Sequence, residues 1–379
     1  MKIGLNGQRI SINNPAGPEK YTINIFTALA KIDHDNEYVV YVNQKPDKDL
    51  FNSIKGDNPH FSYKIVSSDI SWTQVGLALE LVKYPIDVFF SSVHTLPIFR
   101  KSSLKTIGMI HGLEYKYSKE YENPIKKKFI YWPQRYVCQK ADSVIVPSNA
   151  TKEAILKENW RGIDKNKITI VYEGVGEEFY KRRSNEVGKI RGKYKIRNDP
   201  YIIAVSTIQP RKNYIAMIEG FSMFIKENSA FPDLKLLIAG KNGWNYKEVL
   251  EAPKRFGIED SVQFLGRVPD KDLPILYSGA EAYISTSLEE GFGLPLLEAL
   301  ACEIPAIVSD IPAYREVGSY YPIFINPKEP ESIKKSLTDL FINKPNKNIM
   351  NKAKQYARSF TWENSAEKIL EIMKNLVIR

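Results

Sequence analysis

The sequence contains little cysteine and no long apolar run. Only Cys138 and Cys302 are present, without CxxC spacing, so no metal or redox motif of that type exists, and we expect two buried free thiols in a reducing cytoplasm. No window offers about 18 consecutive apolar residues, which argues against a membrane-spanning helix. The opening MKIGLNGQRIS lacks the apolar core of a signal peptide, and a cytoplasmic protein is therefore expected.

Two further absences exclude functional classes. No G-x-G-x-x-G opens a helix after an early strand with an acidic residue about 20 positions later, which excludes the usual NAD(P)-dependent oxidoreductase. No signature of a nucleic-acid-binding fold is present, so we expect no nucleic-acid partner. The chain has only four histidines, which are His34, His60, His94 and His111. We expect the first three to be core histidines whose ring nitrogens are satisfied.

The positive charge is concentrated in one segment. The chain carries a net charge of +10, and residues 91–140 alone hold ten Lys/Arg against three Asp/Glu, a net +7. Within this segment NPIKKKFIYWPQRY (123–136) mixes basic residues with large aromatics. Such a mixture suits an anionic membrane surface or an anionic substrate, but it also suits an amphipathic surface helix with a solvated basic face. Both interpretations stay open, and a membrane contact is expected to involve residues 124–136.

Short β-branched runs alternate with helical stretches along the whole chain. A length of 379 residues exceeds what one core usually supports, so two domains are expected. Strand-like runs include KIGLN, DVFF, KTIGMI, SVIVP and ITIVY before a polar stretch at 182–200, and YIIAVS, KLLIAG, VQFLG, AYIST, PAIVS and PIFIN after it. This alternation predicts an α/β protein with two doubly wound, Rossmann-like parallel sheets. Such sheets bind ligands at the carboxyl ends of their strands, so a cleft faced by both domains is the expected site.

An unusual arrangement of carboxylates follows AYIST (282–286). Residues 287–310 read SLEEGFGLPLLEALACEIPAIVSD, in which Glu290 precedes a Gly-Phe-Gly turn and Glu298 lies about one turn inside the next helix. Glycine lets a ligand approach the backbone closely, and free amides at a helix start attract phosphate. Two carboxylates that only accept hydrogen bonds suit a polyol such as a ribose and a sugar ring. A structural cap or an ion pair is the alternative for Glu298.

The Glu-x7-Glu spacing around Gly-Phe-Gly-Leu-Pro resembles the signature of the family-4 retaining glycosyltransferases, which have two Rossmann-like domains facing a cleft, the GT-B architecture. The resemblance extends over nearly the whole chain. Segments similar to the family's occur in the family's order, namely NPAGPEKYTINIFTALA, IHGLEYKY, EGVGEEF, STIQPRKN, AGKNGW, FLGRVPDKDL, PAYREVG and TWENSAEKIL. The resemblance implies an acceptor-side domain at 1–175, a nucleotide-sugar-binding domain at 176–360, and a C-terminal helix at 361–379 that packs back on the first domain.

The resemblance also implies roles for individual residues. Glu290 is expected to accept hydrogen bonds from the donor sugar, and Glu298 from the ribose. Arg211 and Lys212 are expected to hold the diphosphate and to stabilise its charge as it leaves. His111 is expected to approach the donor sugar from the first domain. The other donor contacts implied by the resemblance involve Gly17, Gly291, Phe292, Gly293, Leu294, Arg267 and Val268.

The substrates implied by the resemblance are a nucleotide-diphosphate sugar and a glycan or lipid-linked glycan acceptor. GDP-mannose is the first choice, because SLEEGFGLP, QPRKN and GKNGW look most like bacterial polysaccharide mannosyltransferases. The implied activity is retaining transfer in cell-surface polysaccharide biosynthesis, by a cytoplasmic protein that also contacts the inner face of the cell membrane. A nucleotide-sugar epimerase or a storage-glucan synthase of the same fold, and a non-catalytic nucleotide-sugar-binding module, are the alternatives.

No essential metal and no cofactor besides the donor are expected. Asp-x-Asp occurs at 33–35, 47–49 and 270–272, but each occurrence lies in a polar turn or at a helix start, where aspartate is common for local reasons. Arg211 and Lys212 already supply positive charge to the diphosphate.

The chain departs from the family pattern at several positions. The family often has His-Asp where this chain has His111-Gly112, and a small residue where Glu303 stands. Pro-Glu-Val appears as Arg315-Glu316-Val317, and the first glycine loop reads Ala16-Gly17-Pro18-Glu19. The last departure leaves the acceptor geometry open.

Overall fold

The protein forms two compact units, here called the first unit (Met1–Gly174 with Thr361–Arg379) and the second unit (Val175–Phe360). The computed structural model describes residues 1–10, 17–113, 116, 124–228 and 230–378, without the side chains of 124–130. Each unit is a parallel β-sheet with helices between its strands. This architecture confirms the predicted fold class of two doubly wound α/β sheets.

The first unit is built around a seven-stranded sheet. Its strands are β1 (Lys2–Asn6), β2 (Glu37–Val42), β3 (Phe61–Ile65), β4 (Val88–Ser91), β5 (Lys105–Met109), β6 (Ser143–Val146) and β7 (Ile168–Ile170). The order is β3-β2-β1-β4-β5-β6-β7, and every neighbouring pair is parallel. The connecting helices are α1 (Gly17–Ile32), α2 (Lys48–Lys55), α3 (Ala78–Lys83, after a π-helical turn at Trp72–Leu77), α4 (Pro124–Lys140) and α5 (Asn149–Lys157).

The second unit repeats this plan with six strands. These are β8 (Tyr201–Val205), β9 (Lys235–Ala239), β10 (Val262–Gly266), β11 (Ala282–Ser285), β12 (Ala306–Ser309) and β13 (Ile323–Ile325), in the order β10-β9-β8-β11-β12-β13. All neighbouring pairs are again parallel. The helices are α6 (Ser184–Lys193), α7 (Tyr214–Glu227), α8 (Lys247–Arg255), α9 (Leu273–Ser278), α10 (Leu294–Ala301), α11 (Pro312–Gly318), α12 (Pro330–Ile342) and α13 (Lys347–Arg358).

The chain then returns to the first unit as α14 (Trp362–Ile378). The hydroxyl of Thr361 accepts a hydrogen bond from the Asn364 amide at 3.2 Å and so caps this helix, as its Thr-x-x-Asn sequence predicts. Helix α14 packs along α1, where Lys31 and Glu363 form an ion pair at 2.6 Å.

The second sheet is covered by apolar clusters on both faces. Alternate side chains of a strand point to opposite sides of the sheet. In β8, Tyr201 and Ile203 belong to one apolar cluster, whereas Ile202 and Ala204 belong to another. Burial on both faces explains why the strand reads as a continuous apolar run.

The structure also differs from the sequence-based expectations. The predicted strands did not include EYVVYV (37–42) and FSYKI (61–65), which form β2 and β3. Strand β3 lies at the sheet edge with several side chains exposed, so its apolar pattern is weak. The prediction of core histidines was wrong for His34 and His60, which are exposed, because they lie in connections outside the strands.

Candidate functional site

Two loops of the second unit meet where its strand order reverses. Strands β8 and β11 are neighbours at this point, and doubly wound sheets bind ligands beside the carboxyl ends of such strands. The loop after β8 ends in a short 3-10 turn, Pro210–Lys212. The amide of Leu288 donates to the Arg211 carbonyl at 2.9 Å, and the Thr286 hydroxyl donates to the Lys212 carbonyl at 3.0 Å. These bonds hold the two loops together.

The two basic residues and one acidic residue predicted for the site form one ionic cluster. Lys212 Nζ lies 2.5 Å from Glu290 Oε1, and Arg211 Nη1 lies 3.0 Å from Glu290 Oε2. Arg211 Nη1 also donates to the carbonyl of Glu289. The exposed fractions of the side chains are 5% for Arg211, 13% for Lys212 and 11% for Glu290, so the pairs are shielded from water.

The electrostatics of the cluster keep Glu290 ionised. Burial alone would raise the pKa of its carboxyl group. The charges of Lys212 and Arg211, with hydrogen bonds from Lys212 and Ser287, outweigh burial and lower the pKa from 4.5 to about 2. One carboxylate between two cations leaves a net positive charge in the cluster. Such a cluster attracts an anion that carries more than one negative charge.

The Gly-Phe-Gly turn leads from Glu290 into α10. Gly293 has φ = +109°, and a Cβ atom there would lie 2.6 Å from Cε1 of Tyr314, so both the backbone conformation and the available space require glycine. Pro295 lies in the first turn of the helix, where its missing amide costs little. The side chain of Phe292 is buried in the core, with 3% of its surface exposed. Only the backbone of Phe292 is therefore placed to meet a ligand.

Glu298 lies inside α10, and its carboxylate has a hydrogen-bond partner different from the partners of Glu290. Its Oε2 accepts a hydrogen bond from the hydroxyl of Tyr277 in α9 at 3.0 Å, and the residue is buried. A carboxylate held in this way is both oriented and partly satisfied by protein. The structure therefore brings Glu290, Arg211 and Lys212 into direct contact but gives Glu298 its own partner.

The other residues predicted to contact the donor are spread over three regions. Arg267 and Val268 follow β10, two strands from β8, and the side chain of Val268 belongs to the core. Leu294 begins α10. Gly17 begins α1 in the first unit, where a Cβ atom would meet no described atom within 4 Å.

His111 lies two residues after β5 in the first unit, with both ring nitrogens facing oxygen atoms. Its Nε2 is 2.9 Å from the Ser92 carbonyl oxygen. Since a carbonyl only accepts, Nε2 carries a hydrogen. Its Nδ1 is 3.6 Å from Oε1 of Glu173, and the ring of Tyr21 packs edge-on against it at 4.8 Å. The imidazole is therefore oriented by protein groups on three sides.

Sequence reasoning missed Glu173 as the partner of His111 and Tyr314 as a partner of Glu290. Tyr314 donates a hydrogen bond to Glu290 Oε1 at 3.3 Å. Both residues follow parallel strands, β7 and β12, at their carboxyl ends. That position was the available signal, because polar residues in the segments that follow such strands lie near the ligand-binding edge.

In each of the three Asp-x-Asp segments, one aspartate has a structural partner. Asp33 accepts from Asn36 at 2.7 Å, Asp47 accepts from the Leu50 amide at 2.9 Å and caps α2, and Asp272 pairs with Lys193 at 2.5 Å. Among the residues that the structure describes, no group of three or more His, Cys, Asp or Glu side chains is arranged to hold a metal ion. Both cysteines are free and buried, as predicted.

The basic aromatic segment forms most of α4. The side chains of Lys126, Lys127 and Lys128 lie outside the described residues. Further along the helix, Trp132 is 41% exposed and stacks on Tyr136 at 5.1 Å. Within the described ranges, no helix has both the length and the apolarity needed to cross a membrane.

Two protein-family models match the chain. The family described as "Glycosyltransferase Family 4" matches residues 15–179. The family described as "Glycosyl transferases group 1" matches residues 186–360. The second match contains Arg211, Lys212, Glu290 and Glu298, and the first contains His111.

Curated relatives and a solved structure agree with these matches. The chain is 27% identical over 201 residues to O-antigen chain mannosyltransferase B of Escherichia coli, covering 52% of each chain. It is 27% identical over 249 residues to O-antigen chain mannosyltransferase RfbU of Salmonella typhimurium, covering 65% of this chain and 63% of that relative. The chain thus matches about half to just under two thirds of these relatives' lengths. Alr3699/HepE of Anabaena, solved with UDP-glucose, superposes with a TM-score of 0.75 over 99% of this chain and 100% of that chain, at 17% identity, which shows a shared fold.

Proposed function

The chain belongs to the glycosyltransferases of group 1 and family 4, and from this premise we propose that it is a retaining hexosyltransferase. The proposed donor is a nucleotide-diphosphate sugar, and the proposed acceptor is a glycan or a lipid-linked glycan of a cell-surface polysaccharide. No essential metal takes part in the proposed reaction.

One observation carries this proposal, the cluster of Glu290 with Arg211 and Lys212 at the strand-order reversal of the second sheet. Two nearly buried cations beside one carboxylate fit a diphosphate joined to a sugar. Cations stabilise the charge that develops on a leaving diphosphate, and a carboxylate accepts hydrogen bonds from sugar hydroxyls. Glu298, about one turn inside α10, is assigned to the ribose. The backbone from Gly291 to Leu294 is assigned to the sugar or the distal phosphate.

The proposed reaction exchanges one bond at the anomeric carbon. The bond to the diphosphate oxygen breaks, and its electron pair stays on that oxygen, where Arg211 and Lys212 stabilise the charge. The acceptor hydroxyl oxygen forms the new bond on the same face of the sugar, and its proton passes to the departing phosphate oxygen. Because attack and departure use one face, the anomeric configuration is retained without an enzymic nucleophile. His111 is assigned to the donor sugar.

The identity of the donor is proposed from the named relatives. Two curated relatives are O-antigen mannosyltransferases, which supports GDP-mannose as the first choice. The structurally similar protein from Anabaena was solved with UDP-glucose, which makes UDP-hexoses the second choice.

A thermal-shift panel tests the proposed donor. The protein is heated with GDP, UDP and dTDP and with their mannose, glucose and rhamnose derivatives. A ligand at 100 times its Kd stabilises the native state by about 2.7 kcal/mol, and GDP-mannose is expected to give the largest shift. Lys212→Ala is expected to remove the shift, whereas Lys334→Ala, which alters an exposed ion pair with Glu331, is the matched control. Shifts from none of the nucleotides would refute the proposal.

An activity assay separates the alternatives. Incubation with GDP-mannose and a lipid-linked glycan is expected to give a glycosylated acceptor, and free sugar released without any acceptor would indicate an epimerase instead. Full transfer by Glu290→Ala would contradict the site as assigned.

The proposed partner also includes an anionic membrane surface. Ile98 and Phe99 are 49% and 81% exposed at the end of a loop that Arg100 ties to α4, through the Tyr136 hydroxyl at 2.9 Å and the Lys140 carbonyl at 2.7 Å. Exposed apolar side chains beside a basic segment suit an anionic bilayer.

Vesicle sedimentation tests this contact. Binding to phosphatidylglycerol vesicles is expected to exceed binding to phosphatidylcholine vesicles, and neutralising Lys126–Lys128 or changing Phe99→Ser is expected to reduce it. Unchanged vesicle binding by the neutralised variant would exclude this surface. Ile70→Ser, at an exposed apolar residue of another loop, is the control.

A further inference from the structure

A set of buried hydroxyl groups lies behind Glu290. The Tyr314 hydroxyl is 3.3 Å from Glu290 Oε1 and 2.7 Å from Ser285 Oγ. Ser285 Oγ is in turn 3.2 Å from Ser287 Oγ. Tyr314, Ser285 and Ser287 are each less than one tenth exposed. Ser285 is the last residue of β11, Ser287 lies in the loop after it, and Tyr314 lies in the first turn of α11.

Two hydroxyls of this set, those of Tyr314 and Ser287, donate hydrogen bonds to the carboxylate. An ionised carboxylate only accepts, so the single hydrogen of the Tyr314 hydroxyl is donated to Glu290. The Ser285 hydroxyl then donates to Tyr314. Burial and the charge of Glu290 both raise the pKa of Tyr314, so the phenol keeps its hydrogen at neutral pH. Tyr314 is thus a neutral donor aimed at a buried anion, and hydrogen bonds to charged groups are the stronger ones.

These hydroxyl groups matter most once the nucleotide sugar is bound. Arg211 and Lys212 pair with Glu290 in the free protein. On the proposed function, the diphosphate draws both cations toward itself, and its negative charge repels the carboxylate. The hydroxyl groups are uncharged, so the diphosphate does not draw them away from the carboxylate in this way. The bond from Tyr314 then keeps the carboxylate in the place from which it accepts the sugar hydroxyls.

The ring of Tyr314 supports the adjoining turn as well. Gly293 lies so close to this ring that a Cβ atom would come within 2.6 Å of Cε1. The ring itself is 1% exposed. One residue of α11 therefore contacts both the carboxylate and the glycine turn, which are the two parts of the site assigned to the sugar.

We propose that Tyr314 is a positioning residue that fixes the Glu290 carboxylate for recognition of the donor sugar. This inference rests on the proposed function, and it adds to that function an energetic coupling between the Tyr314 hydroxyl and Glu290. The phenol acts through Glu290 and does not itself touch the substrate.

A double-mutant cycle in the free protein tests the coupling without any ligand. The variants are Tyr314→Phe, Glu290→Gln and the double substitution, measured by thermal unfolding. Groups that interact give non-additive effects, so Tyr314→Phe is expected to lower the midpoint in the wild-type background and by less than half as much with Gln at position 290. Tyr201→Phe is the matched control, because its buried hydroxyl donates to the Leu276 carbonyl at 2.7 Å. The control is expected to lower the midpoint equally in both backgrounds. Equal effects of Tyr314→Phe in both backgrounds would overturn the inference.

Ligand titration adds a readout that a purely structural role leaves unchanged. GDP-mannose and GDP are titrated calorimetrically into wild type, Tyr314→Phe and Tyr201→Phe, with UDP-glucose and UDP as the second pair. Loss of one hydrogen bond to a charged group predicts about tenfold weaker binding of the nucleotide sugar, while the nucleoside diphosphate stays within about twofold because it lacks the sugar. Equal weakening of both ligands would overturn the inference. A wild-type protein that binds neither pair would refute the proposed function, and the free-protein cycle then decides the role of Tyr314 by itself.

Discussion

Replacing Glu290 by glutamine is expected to destabilise the second unit by an amount that depends on pH. The carboxylate has its pKa lowered from 4.5 to about 2. At about 1.4 kcal/mol per pKa unit, this lowering corresponds to about 3 kcal/mol of stability at neutral pH. The same order of cost is expected when one partner of a buried ion pair is removed, about 3–5 kcal/mol, because Arg211 and Lys212 then face each other without a counter-charge.

The sign of the pH dependence follows from the direction of the shift. A carboxyl group whose pKa is lower in the folded state stabilises the fold above its unfolded pKa, and this contribution is lost as the pH falls through the folded pKa. The Glu290 contribution is therefore complete above about pH 5 and declines toward about pH 2. The difference between wild type and Glu290→Gln is expected to shrink over the same range.

Amide hydrogen exchange measures this effect in the second unit alone, because each peptide reports its own local opening. Peptides covering β8 and β11 are expected to exchange about 100-fold faster in Glu290→Gln at pH 7, after correction for intrinsic rates. Glu227→Gln removes an exposed pair with Lys334 in the same unit and is expected to leave exchange unchanged. Equal protection of Glu290→Gln and wild type, or a difference that grows on acidification, would refute the electrostatic reasoning.

Three further outcomes follow from the geometry. Gly293→Ala is expected to lower the thermal midpoint by the equivalent of about 1–3 kcal/mol, because φ is +109° and the new Cβ meets the Tyr314 ring; an unchanged midpoint would contradict this. Glu303→Gly is expected to raise the free energy of unfolding, measured by urea denaturation, by up to about 1 kcal/mol, because Glu303 has φ = +58° and its pair with Lys354 is partly exposed. A lowered free energy of unfolding would mean that the ion pair outweighs the backbone strain. Glu298→Gln is expected to weaken GDP and GDP-mannose equally in calorimetry, and a loss confined to GDP-mannose would move Glu298 from the ribose to the sugar.

The sequence predicted, for a general reason, that Glu290, Arg211 and Lys212 lie near one another. Each of these residues lies in the loop that follows an apolar strand, and the carboxyl ends of parallel strands share one edge of a sheet. The contact itself could not be derived in this way. Arg211 and Glu290 are 79 positions apart, and a salt bridge depends on distances that strand order alone does not supply.

Residues that act through other residues were hardest to predict. Tyr314 belongs to a recognised segment, yet nothing in PAYREVG indicates that its hydroxyl reaches Glu290. The partner of His111 is a similar case, because Glu173 approaches the ring from the end of another strand. The exposed His34 and His60 were assigned wrongly to the core, since residue type alone does not indicate on which side of a turn a side chain lies.

The sequence by itself determined the fold class and the chemical types present at the site. Alternating β-branched and helical segments leave a doubly wound sheet as the compact solution, and the glycine turn with its two glutamates and the Arg-Lys pair are local patterns of a few residues. Only the tertiary structure decided that Glu290 pairs with both cations, that Glu298 binds Tyr277, and that Tyr314 supports the carboxylate. The physical reason is range: secondary structure follows from neighbouring residues, whereas hydrogen bonds and ion pairs between distant loops require the packed sheet that brings those loops within 3 Å or so of each other.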